Sequence, residues 1–220
     1  MTPPADEDGA AVAVVIAHAP RSSAALAGLA PLLDRDRRAV LQALLIRRAA
    51  AWAVAAAPGA ASVAVAPGHA VDDVAALLPA GATAFAQEGD GEAAIAAALA
   101  RAGGGPTLIA VADCPRLGAV HAAGALADLG AGCDVVFGFT LEGGWYLAGV
   151  REPRPELLGP AQAARQPESG IGPVLRRART LDAVVGMLRH ERTLATPGDA
   201  AALLADPLLE PELRAALSPV

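Results

Sequence analysis

Short runs of consecutive apolar residues alternate along the chain with longer segments whose apolar positions recur at helical spacing. The runs Ala11–Ala17, Ser62–Ala66, Ala82–Ala86, Thr107–Ala112, Asp134–Phe139 and Trp145–Val150 have the length and β-branching of strands buried on both faces. Ala183–Leu188 predicts a last strand. Between them, Val40, Leu41, Leu44, Leu45 and Trp52 predict a helix over Arg37–Ala56, with Asp34 or Asp36 as its cap. Further helices are predicted at Val71–Leu78, from near Glu92, at Leu117–Leu129, at Gly172–Ala178, and after Thr196, an N-cap followed by Pro197 at the first helical position. Strands alternating with helices predict an α/β fold, a mostly parallel sheet covered on both faces. The expected organisation is one domain over 11–220 behind a disordered leader at 1–10.

In such sheets ligands bind beyond the carboxyl ends of the strands. Asp113 stands at one such end, before Cys114 and Pro115, and reads either as a turn residue or as a ligand carboxylate. Glu142 follows another strand and precedes Gly143, Gly144, Trp145 and Tyr146. Two glycines permit a sharp turn or a close approach to a ligand, and the alternative is an ordinary hairpin whose aromatics enter the core. The segment Gln87-Glu88-Gly89-Asp90-Gly91-Glu92 leads into a helix N-terminus. It reads as an acidic loop favoured by the helix dipole or as a ligand loop. Residues 152–172, rich in proline and polar side chains, are a candidate lid.

Composition changes this picture in two ways. All 17 basic residues are arginine, so no lysine can hold a phosphate or form a Schiff base. A net charge of −6 and a pI near 5.2 argue against a nucleic-acid partner. Cys114 and Cys133 are too few for a disulfide framework, the acidic N-terminus is unlike a secretory signal, and no uninterrupted apolar run reaches spanning length. These features lead to the expectation of a cytoplasmic protein without a membrane partner.

The motif order Ala19-Pro20 after the first strand, Gln87-x-Gly89-Asp90-x-Glu92 before a helix, Asp113-Cys114-Pro115-x-Leu117, Glu142-Gly143-Gly144-x-Tyr146-Leu147-x-Gly149 and Thr196-Pro197-x-Asp199 resembles the bacterial GT-A-superfamily proteins called selenodomain-associated transferases. These are similar to nucleotide-diphospho-sugar transferases and to phospholactate and molybdenum-cofactor guanylyltransferases. The resemblance implies a single-domain GT-A fold and a small-molecule partner, a nucleotide or nucleotide sugar. It implies nucleotide contacts at Ala17, His18, Pro20, Arg21, Gln87, Gly89 and Asp90. It also implies Asp113 as a ligand to Mg²⁺ or Mn²⁺, Glu142 as the residue serving an acceptor hydroxyl, and Gly143, Gly144 and Trp145 on the acceptor side.

This chain departs from the family pattern at two places. The family's P-G-x-x-K-T-R-L loop reads here Pro20-Arg21-Ser22-Ser23-Ala24-Ala25-Leu26, and its D-x-D-T-P reads Thr193-Leu194-Ala195-Thr196-Pro197. Two functions remain open on sequence alone. One is a nucleotidyl- or glycosyltransferase, and the other is a catalytically degenerate GT-A-fold binding or partner module.

Overall fold

The computed structural model describes residues 9–89, 92–141, 143–158 and 171–218. Seven strands form one sheet: β1 (Val12–His18), β2 (Ala61–Ala66), β3 (Ala82–Ala86), β4 (Thr107–Val111), β5 (Val135–Phe139), β6 (Trp145–Val150) and β7 (Val185–Met187). Their spatial order is β3-β2-β1-β4-β6-β5-β7. All neighbours are parallel except β6, which runs antiparallel to both β4 and β5. The strands are near-continuous apolar runs because both faces are covered. Alternate residues of β1 enter different cores, Ala13, Val15 and Ala17 on one side and Val14 on the other.

One face is covered by α1 (Arg35–Ala56), α2 (Val71–Ala75) and α4 (Ala119–Gly130). The other carries α3 (Glu92–Ala102), the single turn α5 (Pro155–Leu158) and α6 (Ile171–Thr180). Asp34 caps α1, its side chain accepting the Arg37 N–H at 2.8 Å. α1 is long and apolar enough by length and composition to cross a membrane. Its apolar positions are nonetheless spent inside the molecule: Ile46, Ala50 and Ala53 face the sheet, while Leu41, Leu44 and Leu45 form a third core with Leu203, Leu213 and Leu217. Those last leucines belong to α7 (Pro197–Leu204) and α8 (Pro211–Leu217). The expected alternation of elements is present, with α5 and α8 additional. The proposed leader lies almost wholly outside the described residues, as do most of the candidate lid, Asp90 and Glu142.

β4 and β5, joined through α4, run parallel to each other but are not neighbours. β6 is wedged between them. Thr107 pairs with Val150 and Ala110 with Leu147, so the same register carried three residues further brings Asp113 level with Gly144. An antiparallel strand starts where its neighbours end, and that alone moves the Gly143–Gly144 turn to the carboxyl edge of the sheet.

Candidate functional site

That carboxyl edge collects nearly every described residue that the sequence nominated. From one side to the other stand Gln87 and Gly89 after β3, Pro67 after β2, Ala17 and His18 at the end of β1, Asp113 after β4, and Gly143, Gly144 and Trp145 entering β6. Four inter-strand steps separate β3 from β6, about 19 Å at the usual spacing of about 4.8 Å.

The individual residues play unequal parts. Ala17 is buried, and the Ala19 N–H donates to the Ala66 carbonyl at 2.8 Å, so the chain after β1 is tied to β2. His18 is exposed and its carbonyl accepts from Gln42 Nε2 at 3.2 Å. Gln42, a buried polar side chain on α1, is a support that sequence reading missed, because one glutamine among leucines carries no periodic signal. Pro20 and Arg21 border a cleft of about 760 Å³ between α1 and α2, with Arg35, Asp36, His69 and Asp73 around it. Arg21 lies 3.6 Å from Asp36, with both side chains at least 80% exposed. Such a pair is solvent-screened and free to rearrange. Gln87 donates its amide to the Gly89 carbonyl at 3.0 Å, closing a turn in which Gly89 has φ +70°.

At the β6 end of the row, Gly143 and Gly144 have φ +95° and +82°, and Thr140 receives the turn back: its N–H donates to the Gly144 carbonyl at 3.0 Å and its hydroxyl to the Gly143 carbonyl. Trp145 is buried among Phe139, Leu157 and Leu158, so the core reading of this aromatic is the correct one. Its indole N–H has no hydrogen-bond partner among the described residues.

The segment 189–196 crosses this edge like a strap. Glu191 bridges Thr140 in parallel, its N–H donating to the Phe139 carbonyl at 3.1 Å and its carbonyl accepting from Leu141 at 3.1 Å. Leu194 N–H donates to the Asp113 carbonyl at 2.9 Å. A Cβ added at Gly28, in the loop after β1, would overlap the Ala195 carbonyl oxygen. The strap therefore touches β5, the end of β4 and the loop after β1, then enters α7 through a capping box between Thr196 and Asp199.

Beneath it lies a buried polar cluster that sequence reading also missed. The Gly118 N–H donates to His121 Nδ1 at 3.0 Å, which puts the neutral ring's proton on Nε2, and Nε2 stands 3.2 Å from Glu191 Oε1. Arg189 Nε reaches the same carboxylate oxygen at 2.7 Å. Tyr146 donates its hydroxyl to the Arg189 carbonyl at 2.9 Å and meets the His121 ring edge to face. In sequence, Arg189-His190-Glu191-Arg192 reads as solvated charge, because nothing local reveals that one carboxylate is turned inward.

Three groups are electrostatically tuned by these surroundings. Burial, then the nearby Arg189, lowers His121 below its ordinary value of 6.5 despite Glu191. For Asp199, burial pulls upward, but hydrogen bonds from the Thr196 hydroxyl, Arg192 and the Thr196 and Ala195 N–H groups outweigh it and hold the carboxyl below its usual range. Burial, with Asp113 and Glu191 close by, pushes the Cys114 thiol far up, so it stays protonated and is no nucleophile. Both His121 and Asp199 bind protons more weakly folded than unfolded. Stability must then rise with pH between the folded and unfolded values: the His121 contribution is complete above about 6.5 and lost as pH falls below it, and that of Asp199 goes at more acid pH. Urea midpoints are expected to be lower at pH 5.5 than at pH 7, with His121→Gln flattening the difference. A midpoint that rises on acidification would contradict this.

For a divalent cation the residues present fit only one kind of site. Among the described residues no group of three or more His, Cys, Asp or Glu side chains is arranged to hold an ion. Asp113 offers a single carboxylate, with Oδ1 shielded from solvent, and Thr193 and Ala195 bring none where the resemblance implies two aspartates. Mg²⁺ commonly binds through one or two carboxylates plus substrate phosphates and water. Among the described residues Asp113 is thus a single carboxylate, compatible with an ion carried in on phosphates.

Residues 49–163, just over half of the chain, match the model of DUF2064, an uncharacterized protein family conserved in bacteria. The chain belongs to this family. The DUF2064 match runs from the last turns of α1 past β6 and so includes Asp113 and the Gly143–Gly144 turn. No curated protein matches the chain. Among solved structures, a protein from Desulfovibrio desulfuricans G20, provisionally named a nucleotide-diphospho-sugar transferase, is similar with a TM-score of 0.77 at 21% identity, over 94% of this chain and 93% of its own. The 4-diphosphocytidyl-2C-methyl-D-erythritol synthase of Anaerococcus prevotii DSM 20548 is similar with a TM-score of 0.52 at 10% identity, over 86% of this chain and 94% of its own. Identities this low establish the fold, which is that of nucleotide-diphospho-sugar transferases.

Proposed function

We propose that this DUF2064 protein binds a nucleotide or nucleotide sugar along the carboxyl edge of its sheet and transfers a nucleotidyl or glycosyl group. The observation that carries this reading is the antiparallel insertion of β6, which brings Gly143–Gly144 level with Asp113. A carboxylate for phosphate-borne Mg²⁺ or Mn²⁺ then stands beside a glycine turn able to admit an acceptor. The cation supplies neutralisation of charge on the departing phosphate when bound. The chain's own residues orient: Gln87–Gly89 and the loop after β1 on the nucleotide side, Gly143 and Gly144 on the acceptor side. Glu142, next to that turn in sequence, is assigned the acceptor hydroxyl by the family resemblance alone.

The second reading, a binding module that has lost catalysis, is favoured by Thr193 and Ala195 where the family carries carboxylates. A thermal-shift panel of nucleotides and nucleotide sugars, with and without Mn²⁺, followed by release of pyrophosphate or nucleoside diphosphate from the best ligand, separates the two. Any ligand specific to the native state raises the midpoint, and only an enzyme turns it over. No midpoint shift across the panel would refute nucleotide binding in either form and turn the second reading to a protein-partner module.

Arg21 supplies a narrower test. With no lysine in the chain and Arg21 held only by a screened pair, Arg21→Ala is expected to weaken a nucleoside triphosphate about three- to tenfold, the scale of one charged contact, and leave the nucleoside unchanged. Equal losses for both would remove Arg21 from the phosphates.

A further inference from the structure

Burying a carboxylate is costly unless partners replace its water, and Glu191 is buried in a chain that could have placed an apolar residue there. Its partners lead to different parts of the carboxyl edge. Through its backbone it joins Thr140, the residue that closes the Gly143–Gly144 turn. Through Arg189, whose carbonyl accepts the Tyr146 hydroxyl, it reaches the residue following Trp145. Through His121 it reaches the first turn of α4, directly after the Asp113–Gly118 loop. Three residues further along the strap, Leu194 N–H holds the Asp113 carbonyl. Tyr146 cannot be displaced easily either, since it lies so close over Gly138 that a Cβ there would overlap its ring.

From this arrangement we infer that Glu191 is a positioning residue of the site, fixing Asp113 and the Gly143–Gly144 turn relative to each other through the strap and Tyr146. The inference rests on the reading of this edge as a metal-assisted diphosphate site. Glu191 need not touch the ligand. Its carboxylate oxygen lies 2.7 Å from Arg189 Nε and 3.2 Å from His121 Nε2, Arg189 Nε also stands 3.2 Å from that ring nitrogen, and the negative charge draws the three groups together. A glutamine can replace one of these bonds and not the electrostatic attraction.

The test uses the whole chain and calorimetry with inorganic pyrophosphate, once in Mn²⁺ and once in EDTA. Wild type is expected to bind more tightly in Mn²⁺. Glu191→Gln should keep the EDTA affinity and lose about tenfold or more of the Mn²⁺-dependent gain, the range found when supporting partners of metal ligands are removed. Tyr146→Phe keeps the ring over Gly138 and removes only the hydroxyl bond. It should show a smaller loss of the same kind, and it decides the matter if Glu191→Gln does not fold. A full gain in both variants overturns the positioning role and leaves the diphosphate reading intact. Equal losses in Mn²⁺ and EDTA overturn it as well, because general disorder does not discriminate. A wild type with no Mn²⁺-dependent gain overturns the diphosphate reading itself, and this inference with it.

Discussion

Asp113→Ala is expected to leave the protein folded and to abolish the gain that Mn²⁺ or Mg²⁺ brings to nucleotide binding. The carboxylate is half-buried at the end of β4, and the bond that organises its surroundings, from Leu194 N–H, goes to its backbone carbonyl, which alanine retains. The metal-dependent part has no such backup, because Thr193 and Ala195 stand where other carboxylates would share the load and no lysine exists elsewhere. Affinity in Mn²⁺ should fall by about a hundredfold or more, beyond what loss of an outer-shell partner costs, and affinity in EDTA should not move. Calorimetry giving the same ratio of the two affinities in variant and wild type would exclude Asp113 as a metal ligand.

The largest loss of stability is expected at a surface glycine. Gly28 is exposed, and inspection of the sequence would rank it as replaceable. Its added Cβ would overlap the carbonyl oxygen of Ala195, a backbone atom in a strap pinned at Thr140 and at Asp113. Neither side can swing away as a flexible side chain would. Gly28→Ala should cost about 2–3 kcal/mol, the upper part of the usual range for overpacking, and lower the melting midpoint by roughly 4–12 °C. Gly130→Ala at the end of α4 is the control: nothing stands within 4 Å of its added Cβ, and alanine is the better helix former. A Gly28→Ala midpoint equal to wild type would mean that the strap moves freely.

The contrast between these two glycines marks what could be read from the sequence. Strand and helix positions were legible because burial on both faces leaves unbroken apolar runs, and the N-caps Asp34 and Thr196 announce themselves by residue type. Asp113 was legible because a carboxylate at a strand end before proline is a local pattern. The wedge of β6 between β4 and β5 was not, since hydrophobic runs carry no direction and no neighbour list. Glu191, His121 and Gln42 were illegible for the related reason that their burial depends on what arrives from elsewhere in the chain. Arg21 and Gln87 follow β1 and β3, and their side chains are turned to Asp36 and to Gly89, contacts that no local pattern announces.

The late arrival of β6 also sets the order in which this chain can be completed during synthesis. β4 is flanked on one side by β1, made long before it, and on the other by a strand that begins at Trp145. A nascent chain that has passed β4 and not yet delivered residues 145–150 presents Thr107–Val111, five residues buried in the finished protein, as an open strand edge. Open apolar edges are templates for pairing with other chains. The β5–β6 hairpin, closed by its own two-glycine turn, can form locally and then dock as a unit, so each ribosome-bound molecule is vulnerable to aggregation until that turn has emerged.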